Sequence, residues 1–125
     1  MILDSSVIID YLRGRAQAAA YIQSLTASGG LKSHVLVVGE VLVGARNRTE
    51  QSDIDQFFAS FSIEPIQAAD CDVAIDLLRQ FRLSHSLSLP DAFIAATCLR
   101  IALPVATLND KHFAMVPNLS VVRPY

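Results

Sequence analysis

Four short stretches carry side chains able to do chemistry together. The first is Met1-Ile2-Leu3-Asp4-Ser5-Ser6, a brief apolar run that ends in a carboxylate and two hydroxyls. Val7, Ile8, Ile9, Tyr11 and Leu12 follow with helical spacing, so Ser5 or Ser6 can cap a helix there. Asp4 therefore marks a strand end, the edge at which parallel α/β sheets bind ligands, although a capping role alone would also explain it. The second stretch is Val35-Leu36-Val37-Val38-Gly39-Glu40-Val41-Leu42-Val43-Gly44. A helix apolar all round is expected to be buried, and a buried lone carboxylate is costly unless paired. A salt bridge from Glu40 to Arg46 is the plain alternative.

Asp91 opens the third stretch, Ser88-Leu89-Pro90-Asp91-Ala92-Phe93. An acid in a first helical turn is favoured by the helix dipole, so structure alone could account for it. The fourth is Ala106-Thr107-Leu108-Asn109-Asp110-Lys111, again behind a short apolar strand. Thr107, Asn109 and Asp110 are thereby expected near the same sheet edge as Asp4, although Asn-Asp is also ordinary turn composition. Converging acids repel, by about 4 kcal/mol for two charges 4 Å apart at an effective dielectric of 20. A hard divalent cation, Mg2+ or Mn2+, would reconcile them and suits phosphoryl transfer. Zinc fits poorly, because His34, His85, His112, Cys71 and Cys98 show no ligand spacing. There is no Walker loop, GxGxxG or nucleophile elbow.

The elements needed to position these groups alternate between strand and helix. Strands are expected at residues 1–3, 31–33, 62–66, 104–107 and 120–122, with the Pro65-bearing one near an edge. Helices are expected over about 5–12, 16–25, 35–45, a segment capped from Thr49–Ser52 and running through Ile54, Phe57, Phe58 and Phe61, then 68–83 and 89–103. In the second helix Ala19, Ala20, Ile22 and Leu25 should face inward. In the 68–83 helix the inward side should be Val73, Ile75, Leu77, Leu78 and Phe81. This alternation is the signature of a parallel sheet with helices on both faces. The 125 residues suit one domain, 1–125; with 52% hydrophobic and 18% charged residues a sizeable core is expected. The net charge of −2 gives no global pull toward nucleic acid. With no apolar run long enough for a bilayer and no basic leader, the chain reads as soluble, cytoplasmic and without a membrane partner. Cys71 and Cys98 are expected as buried free thiols.

Taken together, the four stretches resemble PIN domains, and specifically the VapC-type toxin ribonucleases, over essentially the whole chain. Met1–Leu12 resembles the family's opening strand with its first acid and hydroxyl. Ser33–Ala45 resembles its helix with the second acid and trailing glycine, Leu89–Thr97 the helix start with the third acid, and Val105–Phe113 the last segment. The resemblance implies a three-layer α/β/α fold with a short, mostly parallel sheet. It implies that Asp4, Glu40 and Asp91 hold Mg2+ or Mn2+, assisted by the Ser5 and Thr107 hydroxyls. The family often has an acid or asparagine two residues after the threonine. Asn109 fills that place, and Asp110 stands one residue later as an outer acid. The implied activity is hydrolysis of RNA phosphodiesters by the toxin of a VapBC-type pair, usually a homodimer silenced by a VapB-like antitoxin. Arg13, Arg15, Arg46, Arg48 and Arg82 are candidates for holding the RNA backbone. An alternative is a catalytically inactive PIN-like module that binds an antitoxin and, through it, DNA. A haloacid-dehalogenase-type phosphatase is disfavoured because Ser6 stands where a second aspartate would be needed.

Overall fold

A computed structural model of the chain describes residues 1–125. The chain runs β1 (Ile2–Leu3), α1 (Ser5–Leu12), α2 (Ala16–Ser28), β2 (Leu31–His34), α3 (Val35–Val43) and α4 (Arg48–Phe58). It continues through β3 (Phe61–Glu64), α5 (Ala68–His85), α6 (Leu89–Ile101), β4 (Val105–Ala106), a 3-10 turn (Asp110–His112) and β5 (Val121–Val122). The five strands form one sheet in the order β3-β2-β1-β4-β5, and every pairing is parallel. Leu3 lies opposite Ser33 on one side and Ala106 on the other, so β1 is the central strand. β3 is an edge strand, as expected, but it spans Phe61–Glu64, so Pro65 lies just past its end rather than within it.

This order has a functional consequence. From β1 the chain builds outward through β2 to β3, then returns to the other side of β1 for β4 and β5. The reversal creates a crevice at the carboxyl ends of β1 and β4, the place where open α/β sheets bind ligands. Asp4 and Thr107 directly follow those two strands. Ile2, Leu3, Val105 and Ala106 are fully buried beneath them, within a core cluster of 22 residues. The site thus stands directly on the buried core.

Several local expectations give way to the structure. Asp4, not Ser5 or Ser6, occupies the N-cap position of α1, and its side chain makes no capping bond. Asn47 caps α4 by accepting from the Glu50 N–H at 2.9 Å, ahead of the Thr49–Ser52 group, and Phe61 begins β3 rather than ending the helix. α2 runs on to Ser28 and buries Ala18 and Ile22, leaving Ala19 and Ala20 exposed. α5 buries Ala74 and Leu77, while Val73 and Ile75 face solvent. An alanine-rich or evenly apolar helix gives the hydrophobic period little phase, so the buried face is settled by tertiary contacts instead. Both cysteines are free, but only Cys98 is buried, and burial pushes its thiol pKa up to about 12.

The turn into β2 needs Gly29 and Gly30, whose φ angles of 143° and 108° suit glycine. At the end of α6 the same left-handed requirement falls on Ala102, at φ 55°. Ala102→Gly is therefore expected to raise stability by about 0.5–1 kcal/mol in urea unfolding, the strain relieved outweighing the extra freedom of the unfolded chain.

Candidate active site

Asp4 is 4% exposed and is held by hydroxyls rather than by cations. Thr107 Oγ1 donates to Asp4 Oδ2 at 2.7 Å, and Ser6 Oγ lies 3.3 Å from the same oxygen. The backbone orients both hydroxyls: Asn109 N–H donates to Thr107 Oγ1 at 3.0 Å, and Leu108 N–H donates to Ser6 Oγ at 3.0 Å. These bonds all fall on Oδ2 and leave Oδ1 for a ligand. A carboxylate fixed in this way is pre-organised, because its position no longer depends on its own rotamer freedom.

Glu40 overturns the expectation of burial. α3 buries only Val37 and Val41, and Glu40 is on an exposed part of the helix surface. The salt bridge to Arg46 does not form either, because Arg46 pairs with Glu50 at 2.6 Å. Instead, Ser5 Oγ donates to Glu40 Oε2 at 3.3 Å. Asp91 lies in the first turn of α6, where Ser88 caps the helix by accepting the Asp91 N–H at 3.2 Å. The half-buried Asp91 carboxylate faces His112, with Nδ1 3.4 Å from Oδ2.

The charge of Asp4 reaches both of the other acids. The Glu40 pKa is raised, first by partial burial and then by the negative charge of Asp4, with Asp91 adding a smaller push. The Asp91 pKa is raised by burial and again by Asp4, against opposing contributions from Ser88 and His112. No three acidic, histidine or cysteine side chains are drawn into a ready-made metal cage. Carboxylates that repel keep their distance, and Mg2+ in particular retains several waters and needs few direct protein ligands. The donors on offer are carboxylate and hydroxyl oxygens, which fit a hard divalent cation and not zinc.

The remaining predicted residues divide. Thr107 and Ser5 contact the acids as described. Asn109 is exposed beside Thr107 and contributes its backbone N–H. Asp110 is engaged by Arg123 at 2.8 Å, which holds its carboxyl below the usual range. Arg13 and Arg46 border a groove of about 480 Å³ that opens between α1, α3 and α4 and includes Glu40. Arg15 instead pairs with Asp10, and Arg82 lies within reach of the Leu87 carbonyl. Sequence reasoning missed Ser6 and His112. Ser6 was visible only as a second hydroxyl after Asp4. His112 had no signal beyond its place five residues after Thr107.

A protein-family model described as the PIN domain matches residues 1–119. The chain belongs to the PIN-domain family. Among curated PIN-type relatives, Ribonuclease VapC10 of Mycobacterium tuberculosis is 34% identical over 120 residues, covering 95% of this chain and 90% of that protein. Ribonuclease VapC19 of the same species is 29% identical, with 94% and 95% covered. Among solved structures, a toxin–antitoxin complex from Klebsiella pneumoniae superposes with a TM-score of 0.79 at 30% identity, over 99% of this chain and 97% of that one. VapBC2 from Rickettsia felis, bound to a promoter DNA fragment, gives a TM-score of 0.80 at 19% identity, over 97% and 96%, which speaks to the fold alone. The parallel five-stranded sheet is thus a PIN fold. No helix of this PIN domain is long and apolar enough to cross a membrane.

The raised carboxyls carry a stability prediction. The folded-state pKa of Asp91 lies above its unfolded value, so the native state binds more protons between the two. Stability is therefore lost as pH rises through that window, and the full cost is present at neutral pH. Without divalent cation, Asp91→Asn is expected to melt at a higher temperature than the wild type at about pH 7, with the gap closing toward about pH 4. Differential scanning calorimetry of the two proteins in EDTA measures this; a variant that melts lower at neutral pH would contradict it.

Proposed function

We propose that this PIN domain is a Mg2+- or Mn2+-dependent endoribonuclease that acts as the toxin of a VapBC-type pair. What supports the reading is the geometry around Asp4: it follows central strand β1, its Oδ2 is held by Thr107 and Ser6, and its charge adds to the effect of burial in raising the pKa values of Glu40 and Asp91. The 34% identity to a protein named a ribonuclease supports the substrate class. The 30%-identical toxin–antitoxin complex supports an antitoxin as partner, and the family resemblance supports a VapB-like one and a toxin homodimer.

Asp4, Glu40 and Asp91 would hold the cation. When bound, it supplies charge neutralisation at the phosphate and makes water a better nucleophile. Asp4 contributes a fixed oxygen, because Thr107 and Ser6 hold the other one. Ser5 steadies Glu40 on the more exposed side. Asn109 and His112 stand at the crevice where an RNA phosphate would lie, and Arg13 and Arg46 border the groove along which the strand could continue. Asp110, bound to Arg123, acts as an outer acid that shapes this rim.

The test is a cleavage assay on purified protein freed of any partner. Mn2+ or Mg2+ should support internal cuts in single-stranded RNA, and EDTA should stop them. Wild-type protein that cuts no RNA with either cation, yet binds an antitoxin, would leave the inactive DNA-docking module as the better account.

A further inference from the structure

A second polar cluster lies in the core, where β2 ends and α3 begins. His34 and Thr97 are 0% exposed and Asp70 is 1% exposed. Buried polar groups are costly unless every one is bonded, and here every one is. The bonds also have a determined direction. Leu36 N–H donates to His34 Nδ1 at 3.1 Å, so that nitrogen carries no proton. The imidazole hydrogen is then on Nε2, which donates to Thr97 Oγ1 at 2.9 Å. Thr97 in turn donates to Asp70 Oδ2 at 3.1 Å. Asp70 is closed off by Arg100, at 2.7 and 3.1 Å, and by the Gln67 N–H at 2.9 Å.

The placement of this relay matters more than its composition. His34 is the N-cap of α3, six residues before Glu40. Thr97 lies on α6, six residues after Asp91. Six residues are about 9 Å of helix, so a small change of angle at the relay displaces each acid at the far end of a lever. Asp70 and its capping box root the relay in the first turn of α5.

We propose that His34 and Thr97 are positioning residues: their relay fixes α3 against α6 and so sets the separation of the Glu40 and Asp91 carboxylates. The inference rests on the nuclease reading for its functional consequence, but not for its geometry. Thr97→Val keeps the shape of the side chain and cuts both relay bonds. Its Mn2+ affinity, measured by calorimetry without RNA, should fall severalfold, short of the roughly 10–100-fold typical when a group bonded directly to a metal ligand is lost. At fixed Mn2+ the kcat should fall with the KM for RNA unmoved, excess Mn2+ should restore the rate, and Thr97→Ser should behave as wild type. His34→Asn, which retains an acceptor for the Leu36 N–H but cannot reach Thr97, should reproduce Thr97→Val; His34→Gln, which can reach Thr97 but loses the cap, should not. Residual dipolar couplings of α3 and α6 in metal-free protein should show a changed interhelical angle in Thr97→Val and His34→Asn. Folded variants with unchanged angle and unchanged Mn2+ affinity would overturn the proposal. A wild type that neither binds Mn2+ nor cuts RNA would remove the nuclease reading, while the couplings would still decide the relay.

Discussion

Asp4→Asn is expected to lower kcat/KM for RNA cleavage by about a thousandfold, or about 4 kcal/mol of transition-state stabilisation at 1.36 kcal/mol per tenfold. The substitution preserves shape, and an amide oxygen can still accept from Thr107 and Ser6. What is lost is the charge at the central strand end, the one that both Glu40 and Asp91 feel. Under the proposed function, removing it would weaken the hold on the cation and its ability to stabilise charge on the phosphate. Part of the loss should return at high Mn2+, which separates weakened binding from weakened chemistry. Initial rates on a labelled RNA oligonucleotide over a Mn2+ series give both numbers, and circular dichroism checks the fold. A variant within tenfold of wild type at every Mn2+ concentration would show that Asp4 does not belong to the reacting centre.

Phe113→Ala should be the most damaging core substitution near the site, costing about 3–5 kcal/mol. Phe113 is the largest fully buried side chain and follows directly on the 3-10 turn. It anchors the connection that begins with Thr107, whose hydroxyl holds Asp4. Whole-domain stabilities are about 5–15 kcal/mol, so the loss is a large fraction of what keeps the chain folded. Urea unfolding measures it, with Phe113→Leu as a milder comparison. A loss below about 1 kcal/mol would mean that the pocket collapses without consequence and the connection is held by other contacts.

Much of this arrangement was legible in the residues, because its parts are local. A three-residue apolar run ending in Asp4, and another ending in Thr107, announce strand ends without reference to anything distant. The edge position of β3 matches the expectation drawn from Pro65, although that proline only ends the strand and does not sit in its ladder. The burial expected of Glu40 fails: its helix is apolar all round, yet Val43 is 88% exposed and Glu40 faces solvent. Apolar residues on every side remove the contrast by which a buried face is recognised. Ser6, His112 and the His34–Thr97–Asp70 relay were out of reach for another reason. Ser6 meets Thr107 across 101 residues and Thr97 meets Asp70 across 27, and no local pattern encodes such pairs.

The central place of β1 bears on how the protein is made. Ile2 and Leu3 leave the ribosome long before their partners Val105 and Ala106. Domains tend to fold as units during synthesis, and contacts between distant ends form late. A nascent chain therefore carries its first acid long before the strand that completes the crevice beside it. An enzyme of the proposed kind would stay harmless to the translating machinery, itself built of RNA, until β4 had been made.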